Sequence, residues 1–308
     1  MTPGASKKTA PLVSIGLPVY NGQKYLEACL KNLLAQTWAD FEIIISDNAS
    51  TDGTAAICER FATQDPRVRY YREDRNRGAA WNYTNVLNLA SGRYFRWSAY
   101  DDLISPDFVE VCVKRLDEDA NIILCYGLTV IIDADGNEGE TKPDRIHINH
   151  PRPSSRLREY LHKVGLTNAI YGLMRIDNLR KTSGMGSFPG ADIVLLAELA
   201  LHGCFREERS TRFYRRIHPQ ASLPSNPSLN QLLAWYKPEA SKRLVLHDWE
   251  HFLGYLAAIR GCPISTTEKL RCFAVLLAWK RHGWRKLLSE LILGIRYILM
   301  PFSRTKSS

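Results

Sequence analysis

The chain has 308 residues, 45% hydrophobic and 24% charged, an ordinary globular composition long enough for one sizeable α/β domain with an appendage or for two small domains. Seven scattered cysteines without a Cys-x-x-Cys pair exclude a zinc site or a disulfide framework and point to reduced, buried thiols. The formal charge of +9 is concentrated at one end, since Lys269 to Ser308 holds nine basic residues against one acid, Glu290. Such a tail suits nucleic acid, an anionic membrane surface or a solvated face.

Met1 to Ala10 is short and polar and lacks the apolar core of a secretion signal, so a disordered tail and a cytoplasmic setting are expected. Leu12–Tyr20 and Phe41–Asp47 are β-branched runs ending in turn residues, and Tyr25–Leu34 between them has helical spacing. The alternation continues with helix at Ala55–Thr63, strand at Val68–Arg72, helix at Ala79–Ala90 and strand at Tyr94–Asp101. This predicts an α/β fold with a doubly wound, mostly parallel sheet and ligands beyond the carboxyl ends of its strands. A helix to about Leu116 and a strand over Ile122–Ile132 follow, and then the polar, proline-bearing stretch 138–160 reads as a mobile excursion. Beyond it come strand Ala169–Met174, helix Asp177–Thr182, helix Asp192–Leu201 and a charged extended strand Phe205–Ile217. Pro219–Ser228 is the linker candidate, dividing a domain at 11–218 (halves at about 11–105 and 106–218) from a helical, basic region at 229–308. In its last helix, Trp284, Leu287, Leu288, Leu291, Ile292, Ile295, Ile298 and Leu299 share one arc, with Arg285, Lys286, Glu290 and Arg296 opposite. That run is too short to span a bilayer; it fits an interfacial helix or one packed on the domain by its apolar face.

Asp101 and Asp102 follow directly on the run Tyr94–Trp97, and paired carboxylates at a strand end suit a hard divalent cation, Mg²⁺ or Mn²⁺, that shares its remaining positions with a diphosphate. A turn or helix cap before Ser105-Pro106-Asp107 is the plainer reading of the same residues. Asp52, in Ser50-Thr51-Asp52, reads as a cap. Arg215, Arg216 and His218 offer a phosphate clamp and an imidazole ligand, although an edge strand tolerates such residues too.

Five blocks in order, VSIGLPVYNG (13–22), IIISDNASTDGT (43–54), Asn76-x-Gly78 with Asn82, ASGRY (90–94) and DDLISPDF (101–108), resemble the family two glycosyltransferases. These are inverting nucleotide-sugar enzymes of the GT-A fold, and the resemblance is to the bacterial surface-polysaccharide type. The resemblance implies that Pro18, Tyr20, Asn21, Asn76, Gly78 and Asn82 border the donor and that Asp47 hydrogen-bonds its base or ribose. Asp101 and Asp102 match the family's metal-binding aspartates, with Asp102 the main ligand, and Ala99 stands where the family often has another aspartate. Phe188-Pro189-Gly190-Ala191-Asp192 resembles the element that delivers the catalytic base, which assigns that role to Asp192; the same residue also suits a helix cap. Glu198 lies inside the helix and is the poorer candidate. The expected reaction is a single displacement at the anomeric carbon of a nucleotide-diphosphate sugar, with a UDP-sugar favoured. The expected acceptor is a glycan, lipid-linked on the cytoplasmic face of the plasma membrane, where the basic helix binds. A nucleotidyltransferase lacks support because no Gly-rich, lysine-bearing loop follows the first strand. A nucleic-acid-binding protein would spread basic and aromatic residues across the fold rather than at one end.

Overall fold

Central parallel strands are covered on both faces, so they read as unbroken apolar runs, and all seven residues of β1 (Val13–Val19) and of β2 (Phe41–Asp47) are buried. The structure, a computed structural model, describes residues 10–221, 228–240, 246–281 and 283–299. The expected tail before Ala10, most of the linker candidate and the chain from Met300 onward lie outside the described residues.

With α1 (Leu26–Leu34), α2 (Thr54–Gln64), β3 (Val68–Arg72), α3 (Ala79–Asn88) and β4 (Tyr94–Trp97), the first two strands form the predicted alternating unit, parallel throughout. The chain continues through β5 (Leu103–Ile104), α4 (Phe108–Glu118), β6 (Ile122–Ile132), β7 (Glu138–Thr141), α5 (Pro153–Lys163), a 3-10 turn at Asn168–Tyr171 and β8 (Leu173–Arg175). It then runs through α6 (Ile176–Leu179), α7 (Ala191–His202) and β9 (Cys204–Arg216) into the helices α8 (Leu229–Tyr236), α9 (His247–Gly261), α10 (Thr266–Lys280) and α11 (Trp284–Leu299). The sheet order is β3-β2-β1-β4-β8-β6-β9-β5, with β7 on β6. Among the described residues only β8, β5 and β7 run against their neighbours, so the sheet is mostly parallel, as expected.

Three expectations change. The stretch 138–160 contains β7 and α5; Pro153 occupies the first turn of α5, where the missing N–H is no loss. Arg156 on α5 is buried and donates to Ala200 O and Leu201 O at 2.7 and 2.8 Å, closing the C-terminal end of α7. Strand β4 stops at Trp97, and the span expected as strand at Ala169–Met174 is a 3-10 turn followed by three strand residues. Strand β9 is interior, between β6 and β5, and its buried Glu208 is paired with Arg115 and Arg206 at 2.9 and 2.7 Å.

Alternate residues of β2 feed two cores on opposite faces of the sheet. Ile43 and Ile45 pack with α1, α2 and α4, while Ile44 belongs to the cluster built from α3, α5, α7, α9 and α10. Tyr255, Ile259 and Leu276 from the C-terminal helices are each at most 2% exposed in that second core, beside Leu195 and Leu199 of α7. Helix α11 is different. Its Glu290 accepts from the backbone N–H groups of Asp248 and Trp249 at the start of α9, and Trp249 donates to Leu287 O at 2.9 Å. The helix therefore docks through Leu287 and Glu290, leaving Leu288, Leu291, Ile292 and Ile295 exposed.

Candidate active site

A cleft of about 1050 Å³ opens beyond the carboxyl ends of β1, β2, β4 and β9 and is bounded on its far side by Gln231, Ala234 and Trp235 of α8. Ten of the residues singled out in the sequence line it: Pro18, Tyr20, Asn21, Asn76, Asn82, Asp101, Asp102, Arg215, Arg216 and His218. Asp47, Gly78 and Asp192 do not.

Asp47 is fully buried with both oxygens engaged. One accepts from Ser50 N at 2.8 Å and the other from the Tyr70 hydroxyl at 3.0 Å, with Arg72 Nε at 3.9 Å. It shapes the loop after β2, and its neighbour Asn48 faces the cleft instead. Asn48 Nδ2 donates to Asn76 Oδ1 at 2.9 Å and its Oδ1 accepts from Arg77 N at 2.9 Å, which ties the two loops together. Gly78 sits at φ 87°, and a Cβ there would run into Tyr236 O; the glycine lets α8 close on the start of α3. Asn21, at φ 52°, accepts from Thr51 N at 2.8 Å and fixes the first loop. Asn82 on α3 donates to Ser46 O at 2.9 Å, and its Oδ1 is buried without a partner. Asp52, read as a helix cap, lies one residue before the N-cap of α2, which is Gly53; it accepts from Thr54 N at 3.0 Å and Gln23 N at 3.1 Å at the edge of the cleft.

Asp101 and Asp102 lie in the turn between β4 and β5. Asp101 Oδ2 is 2.9 Å from His218 Nε2, and Asp102 Oδ1 accepts from Arg216 N at 2.8 Å. Burial first, and then the charge of Asp101, hold the Asp102 carboxyl well above the ordinary carboxylate range. Among the described residues no group of three or more His, Cys, Asp or Glu side chains is arranged to hold a metal ion. A buried Asp102 beside a partly exposed Asp101 does fit a hard cation that takes its remaining oxygens from a diphosphate and relieves the repulsion between the two carboxylates. Ala99, where the family often has a third carboxylate, lines the cleft as a small side chain.

The two arginines divide the work. Arg216 is buried and committed, donating to Asp101 O at 2.9 Å and to Asp133 O and Ala134 O at 3.0 and 3.1 Å, with its guanidinium over the Tyr25 ring. It braces the aspartate turn. Arg215 faces the cleft, held from one side by Asn168 Oδ1 at 2.7 Å.

Asp192 is the second residue of α7, whose N-cap is Gly190 in the left-handed region at φ 79°; no side chain caps this helix. The carboxylate accepts from the Thr167 hydroxyl instead. Burial, and behind it the charges of Asp101, Asp102 and Asp192, raise the cleft-lining Tyr83 hydroxyl. Glu198 is buried and accepts from Ser183 N at 3.0 Å, and burial raises its carboxyl.

Sequence reasoning missed Thr167, Tyr83, Tyr171 and Arg96. Tyr83 and Tyr171 line the cleft with their hydroxyls 3.2 Å apart. Arg96 donates to Tyr171 O from beneath, buried so fully that its guanidinium is pushed down to about 10. An arginine inside the apolar run Tyr94–Trp97 was the one available signal.

A family model described as Glycosyl transferase family 2 matches residues 14–181, more than half of the chain. The chain belongs to that family. This family 2 chain is 35% identical over 133 residues to a chondroitin synthase of Escherichia coli, covering 43% of the chain and 19% of that protein. It is 34% identical over 114 residues to glycosyltransferase GlyG of Streptococcus pneumoniae, covering 37% and 38% respectively. It thus spans well under half the length of these relatives. Residues 1–349 of S. aureus TarS superpose with a TM-score of 0.59 at 16% identity, covering 87% of this chain and 71% of that one. Mannosyltransferase PcManGT from Pyrobaculum calidifontis, solved with GDP-Man and Mn²⁺, gives 0.51 at 17% identity over 95% and 88%. These likenesses show the expected fold, a GT-A type sheet with a C-terminal helical appendage.

Proposed function

We propose that the cleft binds a nucleotide-diphosphate sugar and that the protein transfers the sugar, with inversion, to an acceptor hydroxyl. The observation that carries this reading is the placement of the Asp101–Asp102 pair and Arg215 together in one cleft beyond the strand ends. A base and a leaving-group site on opposite sides of a reacting carbon are what a single displacement requires. Asp192, held by Thr167, takes the acceptor proton; Arg215 meets the diphosphate with a planar donor face. Asp101 and Asp102 would hold Mg²⁺ or Mn²⁺, which when bound supplies charge neutralisation at the leaving diphosphate. The fold neighbours support these choices, since TarS has been solved with UDP and with UDP-GlcNAc and PcManGT with GDP-Man and Mn²⁺.

The acceptor reading is a lipid-linked glycan of surface-polysaccharide assembly, reached from an anionic membrane surface. Support comes from α11, which turns Leu288, Leu291, Ile292 and Ile295 outward with Arg281, Arg285 and Lys286 exposed beside them, the arrangement of an interfacial helix. No helix among the described residues is long and apolar enough to cross a membrane. Incubation with UDP- and GDP-sugars and Mn²⁺, with released nucleoside diphosphate as the readout, tests the reading. Turnover of at least one donor is expected, and inertness toward all of them would end it.

A further inference from the structure

The turn at Asn168–Tyr171 touches both walls of the cleft, and a buried carboxylate outside the site described above fixes it. Asp144 is 3% exposed. One of its oxygens accepts from the Ala169 backbone N–H, and the other accepts from Asn168 Nδ2 at 3.1 Å. Asn168, itself buried, accepts in turn from Arg215 Nη1 at 2.7 Å. The polarity of this relay is forced, because an ionised carboxylate only accepts and a guanidinium only donates, leaving the amide between them one orientation. The same turn presents Thr167 to Asp192 and Tyr171 to Tyr83.

We propose that Asp144 is a positioning residue that, through Asn168 and Ala169, sets Arg215 against the donor diphosphate and Thr167 against Asp192. The proposal rests on the nucleotide-sugar reading of the cleft. Burial pushes the Asp144 carboxyl up to about 7, with Glu207 adding to the rise and Ala169, Asn168 and Arg215 opposing it, so at pH 8 it is ionised.

Asp144→Asn keeps size and burial but breaks the relay. If the new amide oxygen takes the Ala169 N–H, its NH₂ faces the NH₂ of Asn168; relief by rotating Asn168 points donors at Arg215. Asn168→Asp alone sets two carboxylates face to face. The double variant Asp144→Asn, Asn168→Asp restores a donor opposite every acceptor. At pH 8 with Mn²⁺, affinities for UDP and for inorganic pyrophosphate, measured by calorimetry, should fall about tenfold in Asp144→Asn, the scale of one charge-assisted hydrogen bond. The double variant should return to within about threefold of the starting protein, and the ligand-free Tm should follow the same pattern of loss and recovery. Should Asp144→Asn fail to fold, Asn168→Ala removes the same link and should cause the same tenfold loss. Unchanged affinity in a folded single variant, or a double variant no better than Asp144→Asn, would overturn the proposal. Starting protein that binds neither probe would overturn the nucleotide-sugar reading itself, before any variant is made.

Discussion

Asp192 accepts a hydrogen bond from Thr167 and caps nothing, so replacing it separates chemistry from stability. Asp192→Asn should leave the Tm and UDP affinity nearly unchanged while lowering kcat by roughly 10² to 10⁴, as for loss of a general base; near-normal turnover would move the base elsewhere. A second residue-scale effect concerns pH. Burial holds the half-buried His247 below its usual value, with His251 adding to the effect, so the unfolded chain takes up a proton before the folded one does. The stability tied to a neutral His247 is therefore present above about pH 6.5 and lost as pH falls below it. Chemical unfolding at pH 7 and pH 5 should show a smaller loss for His247→Gln than for the unaltered protein, and equal losses would remove this histidine from the acid limb. The residues legible in the sequence, such as Asp101, Asp102 and Asn21, were those in strand-end turns inside the blocks that resemble the family, although their hydrogen-bond partners His218, Arg216 and Thr51 lie far off in the chain. Thr167, Tyr171 and Asp144 acquire their roles only when β6, α5 and α7 bring distant segments together, and no local pattern carries that. The donor contact expected of Asp47 comes from the family resemblance alone; in the fold Tyr70 and Ser50, from the next strand and loop, engage both its oxygens.

At the scale of elements, the alternating unit from β1 to β4 was legible because each run had its own period and turn residues. Helix α5 was not, since its prolines and charges read as loop while its inward face is made by Leu157, Tyr160, Leu161 and a buried arginine. Arg156 satisfies the carbonyls of His150, Pro151, Ala200 and Leu201, some of which close α7. Arg156→Ala should cost on the order of 3 kcal/mol, because several buried carbonyls lose their donor at once; a loss under about 1 kcal/mol in urea unfolding would mean water replaces it. Gly78 makes a second test. Gly78→Ala forces a left-handed residue against Tyr236 O, so it should loosen α8 and raise the KM for donor more than it lowers kcat.

For the whole molecule, the helices after 245 divide into two kinds. Helices α9 and α10 complete the core against α5 and α7, where each buried Leu or Ile contributes about 1.5 to 3 kcal/mol, so truncation before His247 should abolish cooperative folding. Helix α11 docks by Leu287 and Glu290 and leaves Leu288, Leu291, Ile292 and Ile295 outward. Its amphipathic pattern was visible in the sequence, but which face would meet the protein was not, because an acid that caps a neighbouring helix looks like any solvated glutamate. Truncation after Arg281 should spare donor hydrolysis while reducing co-sedimentation with anionic vesicles, most visibly at low salt; intact protein that stays in the supernatant at low salt would end the membrane reading.

A cation on Asp101 and Asp102 should be what holds a nucleoside diphosphate in the cleft. Titration of UDP into the protein by calorimetry, with Mn²⁺ and again with EDTA, tests it most directly. Binding should be at least about tenfold tighter with Mn²⁺, a difference of roughly 1.4 kcal/mol that should disappear in Asp102→Ala. Equal affinity with Mn²⁺ and with EDTA, or a metal effect that survives Asp102→Ala, would contradict it.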